Sequence, residues 1–225
     1  LISMMRAIKF ILKFVFVTST LVFIVGVAAL YFEKQNQTVS KVYNELRPNL
    51  IRGGGQQCLS AMSTAGIEFV SLGDVRDKNC LIKNAIRIKT LPNTKLSSPL
   101  TLNCRTASKL VTWLDEIEAK SIDHMGTYNC RKMRGSPIMS EHSFGTAIDI
   151  ARINKASIKK HWDNGSVEGN YLHSAGKSAY RHFSNVITPD DNALHHDHFH
   201  LDHGYSAPHL PKIMHAIMGG IFWYL

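Results

Sequence analysis

At 225 residues, with 44% hydrophobic and 19% charged residues, the chain has room for one domain of ordinary size with a buried core, and no internal repeat asks for a second. Its net charge of +9 is unevenly spread: the first 39 residues hold four basic groups and one acidic group, leaving 22 against 16, or +6, for the rest. A basic domain is drawn to an anionic polymer or an anionic membrane surface. With no basic helix and no aromatic-stacking motif, nucleic acid is set aside as a partner.

Arg6, Lys9 and Lys13 precede residues 14–32, nineteen residues without a charge. That length just suffices for a transmembrane helix, and the positive flank would stay inside and send everything after Glu33 outward. Residues 1–33 therefore read as a signal anchor, or as a signal peptide cut near Val27-Ala-Ala29. Residues 34–55, with Lys34-Gln-Asn-Gln-Thr38 and Gly53-Gly-Gly55, read as a flexible tether with a short helix at 39–50. The domain proper spans 56–206, and the apolar tail at 207–225 is too short for a second span.

Within the domain a helix is expected at 58–65, a strand at 67–72 and short strands within 81–91. The clearest helix is 101–119, where Leu102, Ala107, Leu110, Val111, Leu114 and Ile117 recur at near-helical spacing with Trp113 beside them. Residues 147–153 and 197–201 read as central antiparallel strands. Between them lie a loop at 158–169 holding Trp162, which reads as a wall of a cleft or an exposed aromatic, and a helix at 171–186. The fold class is α+β, a small central antiparallel sheet flanked by helices. Cys58, Cys80, Cys104 and Cys130 make an even count past the apolar segment, which suits two disulfides in an oxidising compartment. Short loops favour Cys58 with Cys80 and Cys104 with Cys130 among three possible pairings.

Two segments carry chemistry: Ser140-Glu-His142-Ser-Phe-Gly145-Thr-Ala-Ile-Asp149 and His195-His-Asp-His198-Phe-His200-Leu-Asp202. In a strand, His198 and His200 project from the same side, so one ion can meet both. Two imidazoles and one carboxylate with an open fourth position are the usual set of catalytic zinc, whereas structural zinc sites are closed and favour cysteine. With 12 histidines in the chain, a lone histidine carries little weight; the joint occurrence of both segments carries the inference. Gly145 reads as a turn residue leading into the Asp149 strand, and Glu141 as an exposed loop carboxylate.

Tyr128-Asn-Cys130-Arg131, the His142 to Asp149 segment and His196-Asp-His198-Phe-His200-Leu-Asp202 resemble the bacterial extensin-like C-terminal family. That family is placed in the zinc-peptidase superfamily of lysostaphin, D-alanyl-D-alanine peptidases and hedgehog domains, and the likeness covers roughly 56–206. The resemblance implies His142, Asp149 and His200 as zinc ligands, His198 as a catalytic histidine and Arg131 as the cationic partner of substrate or oxyanion. His195 matches the first histidine of the His-x-x-His-x-His arrangement of penicillin-insensitive murein endopeptidases, with His196 its rival for that role. Asp197 and Asp202 are candidates to hold the imidazoles from behind.

The function so implied is an exported zinc metallopeptidase cutting peptidoglycan stems or cross-links, as a D,D- or L,D-carboxypeptidase or endopeptidase. It would sit in the periplasm, held to the inner membrane by its N-terminal helix, with peptidoglycan peptides and an unidentified activating protein as partners. Two other readings stand beside it: an inactive zinc module that binds wall peptides, and a histidine-rich protein that sequesters metal. A binder needs no proton acceptor at the metal, and sequestration needs no fixed spacing from His142 to Asp149. The chain departs from the family in having no cysteine after Cys130.

Overall fold

A computed structural model describes residues 2–51 and 54–204, and among these the chain forms two β-sheets and five α-helices. Helix α1 (Ile2–Leu50) runs well past the charge-free stretch. Along it Phe14, Phe16, Val22 and Phe23 are exposed. Among the described residues no helix is long and apolar enough to cross a membrane, so the expected span is not supported. The expected tether is corrected too: residues 34–50 continue the helix, Ser40 and Arg47 are buried, and Ile51 packs in a cluster with Cys80, Met139 and Phe144. Polar composition suggested a solvated linker, but the helix end instead finds partners on the domain.

Helix α2 (Gly55–Thr64) is followed by a hairpin of β1 (Glu68–Asp77) and β2 (Cys80–Thr90). The short strand β3 (Lys95–Leu96) precedes β4 (Leu100–Asn103), which pairs antiparallel with β2 to complete the first sheet, in the order β1-β2-β4. Residues 101–103, read as helix from sequence, thus belong to a strand. Helix α3 (Cys104–Glu116) begins only where the Asn103 side chain accepts from the Thr106 N–H at 3.2 Å, satisfying one of the free first-turn donors. Its inner face buries Ala107, Leu110, Trp113 and Leu114, each large apolar side chain worth roughly 1.5–3 kcal/mol against exposure. The Trp113 indole N–H donates to Ser178 Oγ at 3.0 Å.

The second sheet holds β5 (Ser121–Gly126), β6 (Ala147–Ile153), β7 (Ala156–Ser157), β8 (Asn185–Ile187) and β9 (Phe199–Asp202), together with β3. Its order is β3-β5-β6-β9-β8, with β7 on β6, and only β3 and β5 run parallel. Two sheets therefore replace the single one expected. Ile148, Ile150, Phe199 and Leu201 are fully buried on one face of the β6–β9 pair, and by alternation Asp149 and His200 point from the other.

Helices α4 (Ile158–His161) and α5 (Val167–Ala179) cover the core. Helix α5 starts earlier than expected, because Ser166 accepts from the Gly169 N–H at 3.1 Å. It also stops earlier, since residues 185–187 pair with β9. Trp162 is buried and not exposed: its ring meets Phe199 at 5.4 Å between centroids, and its N–H donates to Asp190 Oδ1 at 2.7 Å.

The disulfides are Cys58–Cys104 and Cys80–Cys130, which corrects the pairing expected from loop length. Packing of α2 against the start of α3 sets Cys58 beside Cys104, and Cys80 at the start of β2 meets the loop before the His142 segment. Topology outweighs the small entropic preference for shorter loops. The apolar tail at 207–225 lies outside the described residues.

Candidate metal centre

His142 sits in a 3₁₀ turn, Glu141–Phe144, closed by Gly145 at φ 63°. A Cβ on Gly145 would stand 2.8 Å from Ile82 Cγ2 and 3.0 Å from the Asn103 amide nitrogen, so backbone conformation and space both require glycine there. The turn delivers the chain into β6, where Asp149 faces His200 of β9 as its cross-strand partner. One turn and two paired strands thus bring His142, Asp149 and His200 together. One ligand atom from each lies within 4.8 Å of the others, a group able to hold a metal ion.

The imidazoles are oriented from behind. His142 Nδ1 lies 2.5 Å from the Thr127 carbonyl oxygen, which leaves Nε2 facing Asp149 Oδ2 at 3.1 Å and His200 Nδ1 at 3.2 Å. His200 Nδ1 lies 2.8 Å from Asp149 Oδ1, and its Nε2 lies 2.8 Å from Asp202 Oδ2. Asp202 Oδ1 in turn accepts from Asn185 Nδ2 at 2.7 Å and the Gly204 N–H at 2.6 Å. Ligand imidazoles held by a carbonyl and a carboxylate are the usual support of a metal site.

The electrostatics favour positive charge at this point. Burial alone would raise the Asp149 carboxyl, but hydrogen bonds with His142 and His200 hold it well below the usual carboxylate range. Burial also works to lower His200, yet its bonds to Asp149 and Asp202 outweigh that and push the imidazole up to about 9. A proton is therefore stabilised on His200 between two carboxylates. A metal cation placed among the same groups gains from the same field, and the donor set fits one.

His198 and His195 stand beside the three. His198 Nδ1 is 2.8 Å from Asp197 Oδ1, and its Nε2 is 3.8 Å from Asp149 Oδ1. The His195 ring lies 4.9 Å from that of His198 and 5.7 Å from that of His200 between centroids, with Nδ1 against Asn192 Oδ1 at 2.7 Å. Burial, reinforced by the charges of His200 and His198, lowers His195 to about 4. His196 is exposed, with Nδ1 on the Ala193 carbonyl. Arg131 is also exposed, and its guanidinium donates to the Lys132 carbonyl at 3.2 Å. Its backbone is tied to the metal turn through Ser143 Oγ.

Glu141, expected as an exposed carboxylate, is buried. It takes both nitrogens of the Arg47 fork at 2.8 and 2.6 Å, the Tyr43 hydroxyl at 2.9 Å and the Thr146 hydroxyl at 2.5 Å. Sequence reading missed this cluster, the Thr127 carbonyl and Asn185. Only the position of Glu141 directly before a ligand histidine hinted at a role.

No curated protein and no solved structure matches the chain. Residues 56–208 match the family described as extensin-like protein C-terminus. That match takes in β1 through β9 and every residue of the His142, Asp149 and His200 group, and the chain belongs to the extensin-like C-terminal family.

Proposed function

We propose that the chain is an exported zinc-dependent peptidase of the lysostaphin, D-alanyl-D-alanine peptidase and hedgehog superfamily, hydrolysing an amide bond in peptidoglycan peptide stems or cross-links. The carrying observation is the His142, Asp149 and His200 group with His198 and His195 beside it. Three protein ligands leave the open position that catalytic zinc sites keep. When bound, zinc supplies a Lewis acid for the scissile carbonyl and brings the pKa of water toward about 7.

His198, oriented through Nδ1 by Asp197, presents Nε2 toward the group and is the proton acceptor in this reading. His195, lowered to about 4, is neutral at physiological pH and is the second acceptor. Arg131, on a loop fixed to the metal turn by Ser143, is assigned to the carboxylate of a stem peptide, which its planar fork suits. The substrate class rests on the family likeness and on the basic charge of the domain. Two disulfides support export to the periplasm, with the apolar N-terminal segment as the means of delivery to the inner membrane.

The test joins metal content to product. His200→Ala and Asp149→Ala are expected to lose zinc by elemental analysis. His198→Ala keeps zinc and loses hydrolysis of cross-linked muropeptides by on the order of 100- to 10,000-fold, read by mass spectrometry. A zinc-free His198→Ala protein would overturn the division between ligand and acceptor. Zinc-loaded wild type without product would leave the alternative, a zinc-containing module that binds wall peptides.

A further inference from the structure

The structure assigns Arg47, on the helix that precedes the family domain, as a positioning residue that clamps both histidine arms of the metal centre; this rests on the metal reading of His142, Asp149 and His200. Arg47 lies outside the matched residues 56–208, yet it is buried at 4% exposure. Its Nε and Nη2 meet Glu141 Oε1 and Oε2 at 2.8 and 2.6 Å, and Glu141 is the residue before His142. The same Nη2 donates at 2.9 Å to the carbonyl of His203, the residue after Asp202. One guanidinium therefore joins the turn that carries His142 to the strand end that holds His200 through Asp202.

The packing around this joint is close. A Cβ on Gly204 would lie 2.9 Å from Glu141 Cδ and Cγ, and the Gly204 N–H donates to Asp202 Oδ1. Glu141 is thus wedged between the two arms, and three of its four side-chain bonds come from α1: two from Arg47 and one from Tyr43. The planar two-nitrogen fork matches a carboxylate in a way lysine does not. Removing it leaves a buried carboxylate without its charge partner next to a ligand. The turn then has reason to shift, and His142 with it.

Asn44 provides the control. It docks the same helix through Met139 N–H and the Pro137 carbonyl at 2.8 and 3.1 Å, without a bond to Glu141 or His203. The experiment uses the full chain and measures the zinc dissociation constant by competition with a chromophoric chelator, alongside thermal melting. Arg47→Ala is expected to weaken zinc by about tenfold or more, the loss typical of groups that orient ligands. Arg47→Lys, which keeps the charge and the fold, weakens it less, and Asn44→Ala lowers the melting temperature while leaving zinc affinity unchanged. Wild-type affinity in both Arg47 variants overturns the assignment, as does equal weakening by Asn44→Ala. If Arg47→Ala does not fold, Arg47→Lys decides alone. Wild type that binds no zinc overturns the metal reading itself, an outcome separate from the others.

Discussion

His200 is the residue on which the centre turns. Its ring is held on one side by Asp149 and on the other by Asp202, each at 2.8 Å, so its orientation depends on a carboxylate that does not itself join the ligand group. Asp202→Asn is therefore expected to weaken zinc by about 10- to 100-fold while keeping the fold, measured by chelator competition. An imidazole must be neutral to bind a metal, and in the metal-free protein His200 keeps its proton up to about 9. Loading must release that proton, so apparent zinc affinity rises with pH between 6.5 and about 9. A flat profile across that window contradicts the assignment. The signs for stability follow: the raised His200 stabilises the metal-free fold fully below 6.5 and loses this as pH rises through about 9. Asp149, held low, contributes above 3.8 and loses its contribution as pH falls.

At the scale of elements, local pattern was legible where it coincides with pairing. The strand at 147–153 has the bounds read from its alternation, because Ile148 and Ile150 fill the core while Asp149 faces away. His142, Asp149 and His200, named from spacing and resemblance, lie together because register makes two of them cross-strand neighbours. What failed was non-local. Residues 101–103 and 185–186 read as helix from sequence but are taken by strand partners. Glu141 looks like any loop carboxylate until Arg47, 94 residues away, is folded against it. Disulfide pairing is non-local too, and non-reducing digestion is expected to yield Cys58–Cys104 and Cys80–Cys130 peptides. Replacing the second pair with serine removes a bridge across a separation of 50 residues, a loss of about 4 kcal/mol in the chain-entropy relation, read as a lower denaturant midpoint.

The whole molecule is larger than the family domain. The end of α1 and Ile51 pack on the Cys80, Met139 and Phe144 cluster, and the Cys80–Cys130 bridge joins that cluster to the loop before the metal turn. The folded unit therefore includes a helix that composition alone presents as a linker. Its basic charge and its two disulfides are the features on which the proposed export and the proposed anionic partner rest. The direct test is to follow products from cross-linked and stem muropeptides, by mass spectrometry, as the full chain is stripped of metal and reloaded with zinc. Hydrolysis at one defined amide bond is expected to rise in proportion to bound zinc up to one ion per chain and to vanish with chelator. Zinc-saturated protein that releases no product from any of these peptides would contradict the peptidase reading.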